Sequence, residues 1–212
     1  MYNRNIWNEI YAVHFKDAPW MSNECVEGHL TVMERFITDV RDKRFLDYGC
    51  GNGRIAYHFY HKGARIVLAD SSDTLVEWLK KEYAEDGIEV LTAATPQDLP
   101  DAPAKRFDYI VASSLMHHIQ PELWMSFMKG FTHLLKHNGI LIISGWDESD
   151  DLIMSRRIAP FTKNTTWPIN SLIQTIKRIR QLELVANELH DMALPSSFTS
   201  NRKFRYYVLK KK

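Results

Sequence analysis

Arg44-Phe45-Leu46-Asp47-Tyr48-Gly49-Cys50-Gly51-Asn52-Gly53-Arg54-Ile55-Ala56 reads as a short apolar strand, a turn with glycine at alternate positions, and the start of a helix. Glycines at 49, 51 and 53 let the backbone turn sharply and approach a ligand with no Cβ in the way. The helix behind them offers free backbone N–H groups and the positive end of its dipole to polar or anionic ligand groups. Asp47 stands at the strand end, two residues before the first glycine. A carboxylate there suits a ligand whose near end is cationic rather than a pyrophosphate. Arg54 fills the third position of a dinucleotide fingerprint, where Gly or Ala is wanted to pack helix on strand.

Outward from this turn, apolar runs alternate with amphipathic segments. Strands are expected at Arg44–Tyr48, Arg65–Ala69, Glu89–Ala93, Asp108–Ser113 and Ile140–Trp146, and helices at Arg54–His61, Thr74–Tyr83 and Pro121–Lys136. Asn138-Gly139 closes the last of these helices. Strands and helices in alternation indicate a parallel sheet covered on both faces. Upstream, Ile6, Trp7, Ile10 and Tyr11 fall at helical spacing, as do Val26, Leu30, Met33, Ile37 and Val40, so the first forty residues read as two helices. Downstream, 147–168 shows no period, a helix fits Ile169–Arg180, and Leu182–Leu189 and Arg202–Leu209 form an antiparallel pair.

The bulk properties narrow the classes. A chain of 212 residues with 45% hydrophobic and 25% charged residues is expected to form one globular domain. Its net charge of +1 implies no general attraction to nucleic acid or membrane, and the Lys210-Lys211-Lys212 run reads as a solvated tail. Cys25 and Cys50 make no disulfide framework, and with no signal peptide or long apolar span a cytoplasmic setting is expected. The nine histidines show no metal-ligand spacing, and neither a Ser-His-Asp motif nor a phosphate-binding P-loop is present.

Asp47-Tyr48-Gly49-Cys50-Gly51-Asn52-Gly53 resembles the first motif of class I S-adenosylmethionine-dependent methyltransferases. The resemblance continues through Asp70-Ser71-Ser72-Asp73-Thr74-Leu75, where Asp70 ends the second strand and implies a grip on a ribose diol. A dehydrogenase would place an acid there too, and Ser72 or Asp73 also suits a helix cap. In the family an acid near the third strand contacts adenine. Thr95 stands at that place here, so the contact passes to Gln97, Asp98 or the backbone. Ser113-Ser114-Leu115-Met116-His117-His118-Ile119, ending the fourth strand, is similar to the small-molecule branch, and the Asn/Asp-Pro-Pro-Tyr run of adenine and glutamine methylators is absent.

The fold implied is a Rossmann-like α/β domain: a seven-stranded, mostly parallel sheet, helices on both faces, and a C-terminal antiparallel hairpin. Residues 1–42 would be a helical lid and 147–181 a substrate-facing insertion within a single domain 1–212. The resemblance implies S-adenosyl-L-methionine as cofactor, S-adenosyl-L-homocysteine as product, and a small-molecule oxygen or nitrogen as acceptor. Asp47, Gly49, Cys50, Gly51, Asn52, Gly53, Asp70, Ser71, Thr95, Gln97, Asp98, Ser113 and Leu115 would form the cofactor site. His118 would serve as base with His117 in reserve, and Asp147 would orient the ring, unless Asp147, Glu148, Asp150 and Asp151 are simply a solvated acidic loop. Trp7, Tyr11 and Trp20 would fold over the cofactor or pack the core, and Met116, Trp146, Phe161 and Trp167 would line an acceptor pocket or pack the core. A monomer or homodimer is expected, without nucleic acid, membrane or metal. Two alternatives stand beside this reading: a nicotinamide-dependent oxidoreductase and a non-catalytic cofactor-binding protein.

Overall fold

A computed structural model describes residues 4–14, 23–100, 106–147, 167–192 and 202–212. Seven strands form one sheet: β1 (Arg44–Tyr48), β2 (Arg65–Asp70), β3 (Glu89–Thr92), β4 (Phe107–Ala112), β5 (Leu135–Trp146), β6 (Leu182–Met192) and β7 (Arg202–Lys211). Their order across the sheet is β3-β2-β1-β4-β5-β7-β6. The β1–β2, β1–β4, β2–β3 and β4–β5 pairs are parallel, whereas β7 runs antiparallel to both β5 and β6. Among the described residues the α-helices are α1 (Arg4–His14), α2 (Asn23–Met33), α3 (Arg54–Tyr60), α4 (Asp73–Glu82), α5 (Pro121–Leu134) and α6 (Leu172–Ile176).

The central strands are apolar on both faces because helices cover both. Along β2, Ile66 and Leu68 face one core and Val67 and Ala69 the other, as the two-residue period of a strand requires. One core is closed by α5 and α6 through Trp124, Phe127, Phe131, Leu172 and Ile176. The other is closed by α2, α3 and α4 through Val32, Met33, Phe59, Leu75 and Leu79. Phe45 and Phe59 stack at 5.0 Å within it. Truncating either fully buried ring to alanine would cost about 3–5 kcal/mol.

Local signals set most boundaries. Ser72 caps α4, its hydroxyl accepting from the Leu75 N–H at 3.2 Å, while Asp73 sits in the first turn and Lys80 and Lys81 in the last. Pro121 opens α5 at a position where its missing N–H costs nothing.

Three expectations need correction. Helix α5 ends at Leu134, and Leu135 already pairs with Phe107 of β4. The pairing resumes at Tyr109–Ile140, so 136–139 form a bulge in which Asn138 takes a φ of 63°. Helix α2 stops at Met33, although Ile37 and Val40 remain buried. The helix expected over Ile169–Arg180 is a tight turn, Ile169–Ser171, leading into the five residues of α6. Trp20, Phe161, Glu148, Asp150 and Asp151 lie outside the described residues, as do 193–201 and most of 147–181.

Candidate active site

The parallel strands carry the candidate residues at their C-terminal ends, where crossovers leave a crevice. Between β1 and α3, Gly49, Gly51 and Gly53 take φ values of 70°, 55° and 76°. The Gly49 and Cys50 N–H groups donate to the Ala69 carbonyl at 2.8 and 3.2 Å, tying the turn to β2. A Cβ on Gly49 would stand 2.9 Å from Leu115 Cδ1, so Leu115 from the loop after β4 closes directly on this turn. The start of α3 departs from the expected free donors. The Asp47 carboxylate accepts from the Ala56 N–H at 3.3 Å and the Asn52 side chain from the Arg54 N–H at 3.4 Å. Both donors are used within the chain.

Asp47 and Asp70 are 2% and 6% exposed, and among the described residues neither forms an ion pair. Burial pushes the Asp47 carboxyl up to about 8; the Ala56 N–H opposes this and the charge on Asp70 adds to it. Burial also raises Asp70 to about 6, against the N–H groups of Ser72 at 3.0 Å and Gly51 at 3.5 Å. Enclosure and both carboxylates also push the Cys50 thiol well above its usual value. The turn is thus flanked by two enclosed acids whose ionised forms lack a cation among the described residues.

Near β3, Asp98 accepts from the Thr95 N–H at 2.7 Å, and the Gln97 amide donates to the Ser126 carbonyl of α5 at 2.9 Å. Asp98 thus braces its own loop and Gln97 ties that loop to α5. Ser71 is 3% exposed beside Asp70. Tyr83, which no local motif marks as a site residue, donates its hydroxyl to the Asn52 carbonyl at 2.8 Å and braces the turn from α4's end.

At the end of β4, the Ser113 and Ser144 hydroxyls lie 2.9 Å apart, binding β4 to β5. His117 and His118 come next in one tight turn, their rings 4.1 Å apart. Burial lowers both, His118 to about 4 and His117 well below its usual value, so both imidazoles are neutral at pH 7. Their Nδ1 atoms are enclosed without hydrogen-bond partners among the described residues. A Cβ on Gly145 would lie 2.9 Å from His117 Nδ1, so His117 packs into β5. Met116 is fully buried in the core, and the Trp167 N–H donates to the His117 carbonyl at 2.8 Å.

Asp147, expected to orient His118, is engaged with β7. Its carboxylate pairs with Arg205 Nε on β7, while Arg205 also donates to the Asn187 side chain at 2.7 Å. Asp147 leads out of β5 directly opposite the start of β7, and its own N–H donates to the Lys203 carbonyl at 3.1 Å. The neighbouring cation on β7 satisfies the acid before a histidine across the crevice can.

Helix α1 reaches both rims of the crevice. Asn8 accepts from the Ser72 hydroxyl at 2.7 Å on the β2 side, and Trp7 meets His118 edge to face at 4.9 Å on the β4 side. Trp7 also stacks with Tyr11 at 6.0 Å. The described residues contain no helix long and apolar enough to cross a membrane and no group of three or more His, Cys, Asp or Glu able to hold a metal.

Comparison with known proteins places this geometry in context. A family model described as a methyltransferase domain matches residues 21–192. A ubiquinone biosynthesis O-methyltransferase of Parvibaculum lavamentivorans is 27% identical over 121 residues, 57% of this chain and 47% of the relative. The chain thus spans about half the length of that curated relative, and less of others of the same description. A structure solved in work on conversion of a disulfide bond into a thioacetal group during echinomycin biosynthesis has a TM-score of 0.76 at 14% identity, covering 99% of this chain and 93% of its own. Burkholderia thailandensis 1,6-didemethyltoxoflavin-N1-methyltransferase, with 1,6-didemethyltoxoflavin and S-adenosylhomocysteine bound, has a TM-score of 0.71 at 15% identity, covering 99% of this chain and 88% of its own.

Proposed function

The chain belongs to the methyltransferase-domain family, and from that premise we propose that it transfers a methyl group from S-adenosyl-L-methionine to an oxygen or nitrogen of a small molecule. Family membership removes the nicotinamide alternative. The observation that carries the cofactor reading is the pair of enclosed carboxyls, Asp47 and Asp70, on either side of the glycine turn, neither in an ion pair among the described residues. A cofactor with a cationic amino-acid end and a ribose diol matches that pair of acceptors: Asp47 would hold the ammonium and Asp70 the diol. With Asp98 bracing its loop and Gln97 tying it to α5, the adenine contact would be shared between these side chains and the backbone of that loop.

Bound there, the cofactor supplies a methyl group already activated by a positive sulfur. The protein's part is orientation and exclusion of water. Trp7 on α1, in edge-to-face contact with His118, would lie near a bound cation, while Tyr11 behind it packs in the core. His118 is neutral at working pH, so one ring nitrogen carries a lone pair able to accept the acceptor's proton. Its depressed basicity suits an acceptor that gives up its proton readily, such as a phenol, more than an alcohol. Similarity to ubiquinone O-methyltransferases supports an oxygen acceptor.

One observation favours the second reading, a cofactor-binding protein without turnover: Arg205 takes up Asp147 and leaves His118 without an orienting acid among the described residues. Calorimetric titration with S-adenosylhomocysteine, followed by methyl-transfer assays on phenolic and amine acceptors, separates these outcomes. Absence of binding by folded protein would reject the cofactor reading. Binding with no product from any acceptor would favour the second.

A further inference from the structure

His29 is a buried titratable side chain to which the site above gives no task. It lies on α2, 3% exposed, and its two ring nitrogens reach two separate elements. Nδ1 is 2.7 Å from the Tyr206 hydroxyl on β7, and Nε2 is 3.3 Å from the Ser114 hydroxyl just beyond β4. Phe204 meets the ring edge to face at 5.4 Å and fixes its plane. A neutral imidazole has one donor and one acceptor, and each hydroxyl can play either part, so the chain of hydrogen bonds is satisfied in either tautomer. Burial lowers His29 to about 4, which keeps it in that neutral form.

Ser114 gives these hydrogen bonds their significance. Its φ is 52°, a left-handed conformation that a residue with a Cβ adopts only at a cost. Its N–H donates to the Ser144 carbonyl at 3.0 Å, so this residue is anchored to β5 where the chain turns out of β4. Beyond it stand Leu115, which closes on Gly49, and the tight turn of His117 and His118. The hydroxyl of the strained residue is the group that His29 holds.

We propose that His29 is a positioning residue for methyl transfer. By holding the Ser114 hydroxyl it keeps the 114–118 loop in place, seating Leu115 on the cofactor turn and His118 against Trp7. This rests on the cofactor reading for its functional meaning, but the effect on the loop is independent of it.

The test is a cycle between His29→Ala and Ser114→Gly, because glycine adopts the left-handed conformation without help. Hydrogen–deuterium exchange across 113–119 is measured in ligand-free protein. His29→Ala is expected to speed exchange there about 10-fold in the Ser114 background and less than about 2-fold beside Ser114→Gly. The dissociation constant for S-adenosylhomocysteine is expected to change in the same pattern. Equal effects in both backgrounds, or none in either, would overturn the proposal, since a merely structural histidine would be insensitive to glycine at 114. His29→Gln serves for the same comparison should His29→Ala not fold. Wild-type protein that fails to bind S-adenosylhomocysteine would refute the cofactor reading, and loop exchange would still decide the role of His29.

Discussion

Trp7 of α1 and His118 of the loop after β4 meet edge to face with ring centroids 4.9 Å apart. This contact and the hydrogen bond between Asn8 and Ser72 let one helix touch both rims of the crevice. Trp7→Ala removes one side of the bridge, and an aromatic contact of about 0.5–1.5 kcal/mol corresponds to about 2- to 10-fold faster release of S-adenosylhomocysteine. Stopped-flow displacement measures this; an unchanged rate would mean that α1 does not retain the cofactor.

Asp47 makes ligand-free stability fall with pH. Its folded-state carboxyl titrates at about 8, above its ordinary value of 3.8, so between those values the folded state holds a proton that the unfolded state has lost. Stability is therefore fullest at low pH and declines as pH rises toward 8, with Asp70 adding to the fall up to about 6. Asp47→Asn is expected to flatten the decline while abolishing cofactor binding. Melting curves of both proteins between about pH 5 and 8, run without ligand, check the slope. Parallel slopes would remove Asp47 as the cause.

For His118 the rate profile is diagnostic. A base held at about 4 is competent throughout the neutral range, so kcat/KM should rise through that value and then stay level. An ordinary histidine would place the rise near its usual value of 6.5. His118→Ala should lower kcat by about 100-fold on a hydroxyl acceptor. A limb near 6.5 that survives the substitution would assign the base elsewhere.

Asp147 is expected to matter to folding more than to proton transfer. Asp147→Asn weakens the pair with Arg205, whose side chain is 21% exposed, and should cost about 1–3 kcal/mol in a denaturant titration. The pH profile of kcat/KM should keep its shape. A shifted profile would restore the role expected from its place after β5.

Gly49→Ala combines two penalties: a φ of 70° that alanine resists and a Cβ 2.9 Å from Leu115 Cδ1. Together they should cost about 1–3 kcal/mol and weaken S-adenosylhomocysteine binding. Adding Leu115→Ala is expected to recover the steric part of the loss but not the conformational part. Full recovery would show that the turn tolerates alanine's backbone preference.

Arg44–Tyr48 and the glycines behind it were legible because strand, turn and helix start are encoded by neighbours in sequence. Alternation of strands and helices likewise carried the sheet. The boundary between α5 and β5 was obscured because Leu135 suits a helix as well as a strand, and its partner Phe107 lies far upstream. The site was legible in its two acids but not in what satisfies them or their neighbours. His29 and Tyr206 are 177 positions apart, Asp147 and Arg205 are 58, and no local pattern announces either pair. Long-range partners decide which acids and histidines are engaged elsewhere, so neither the Arg205 partner of Asp147 nor the place of His29 has a local signal.

The insertion of β7 between β5 and β6 sets an order on synthesis. Until residues 202–211 are made, β6 has no partner in the sheet, Ser144 has no cross-strand Tyr206, and His29 lacks the hydroxyl that holds its Nδ1. A nascent chain would carry the glycine turn early yet hold the loop after β4 loosely until β7 slid into place. Such non-local closure delays the gain from contacts until distant segments have met. Removing β7 would therefore erode the crevice at the end of β4, a strand with which β7 does not pair.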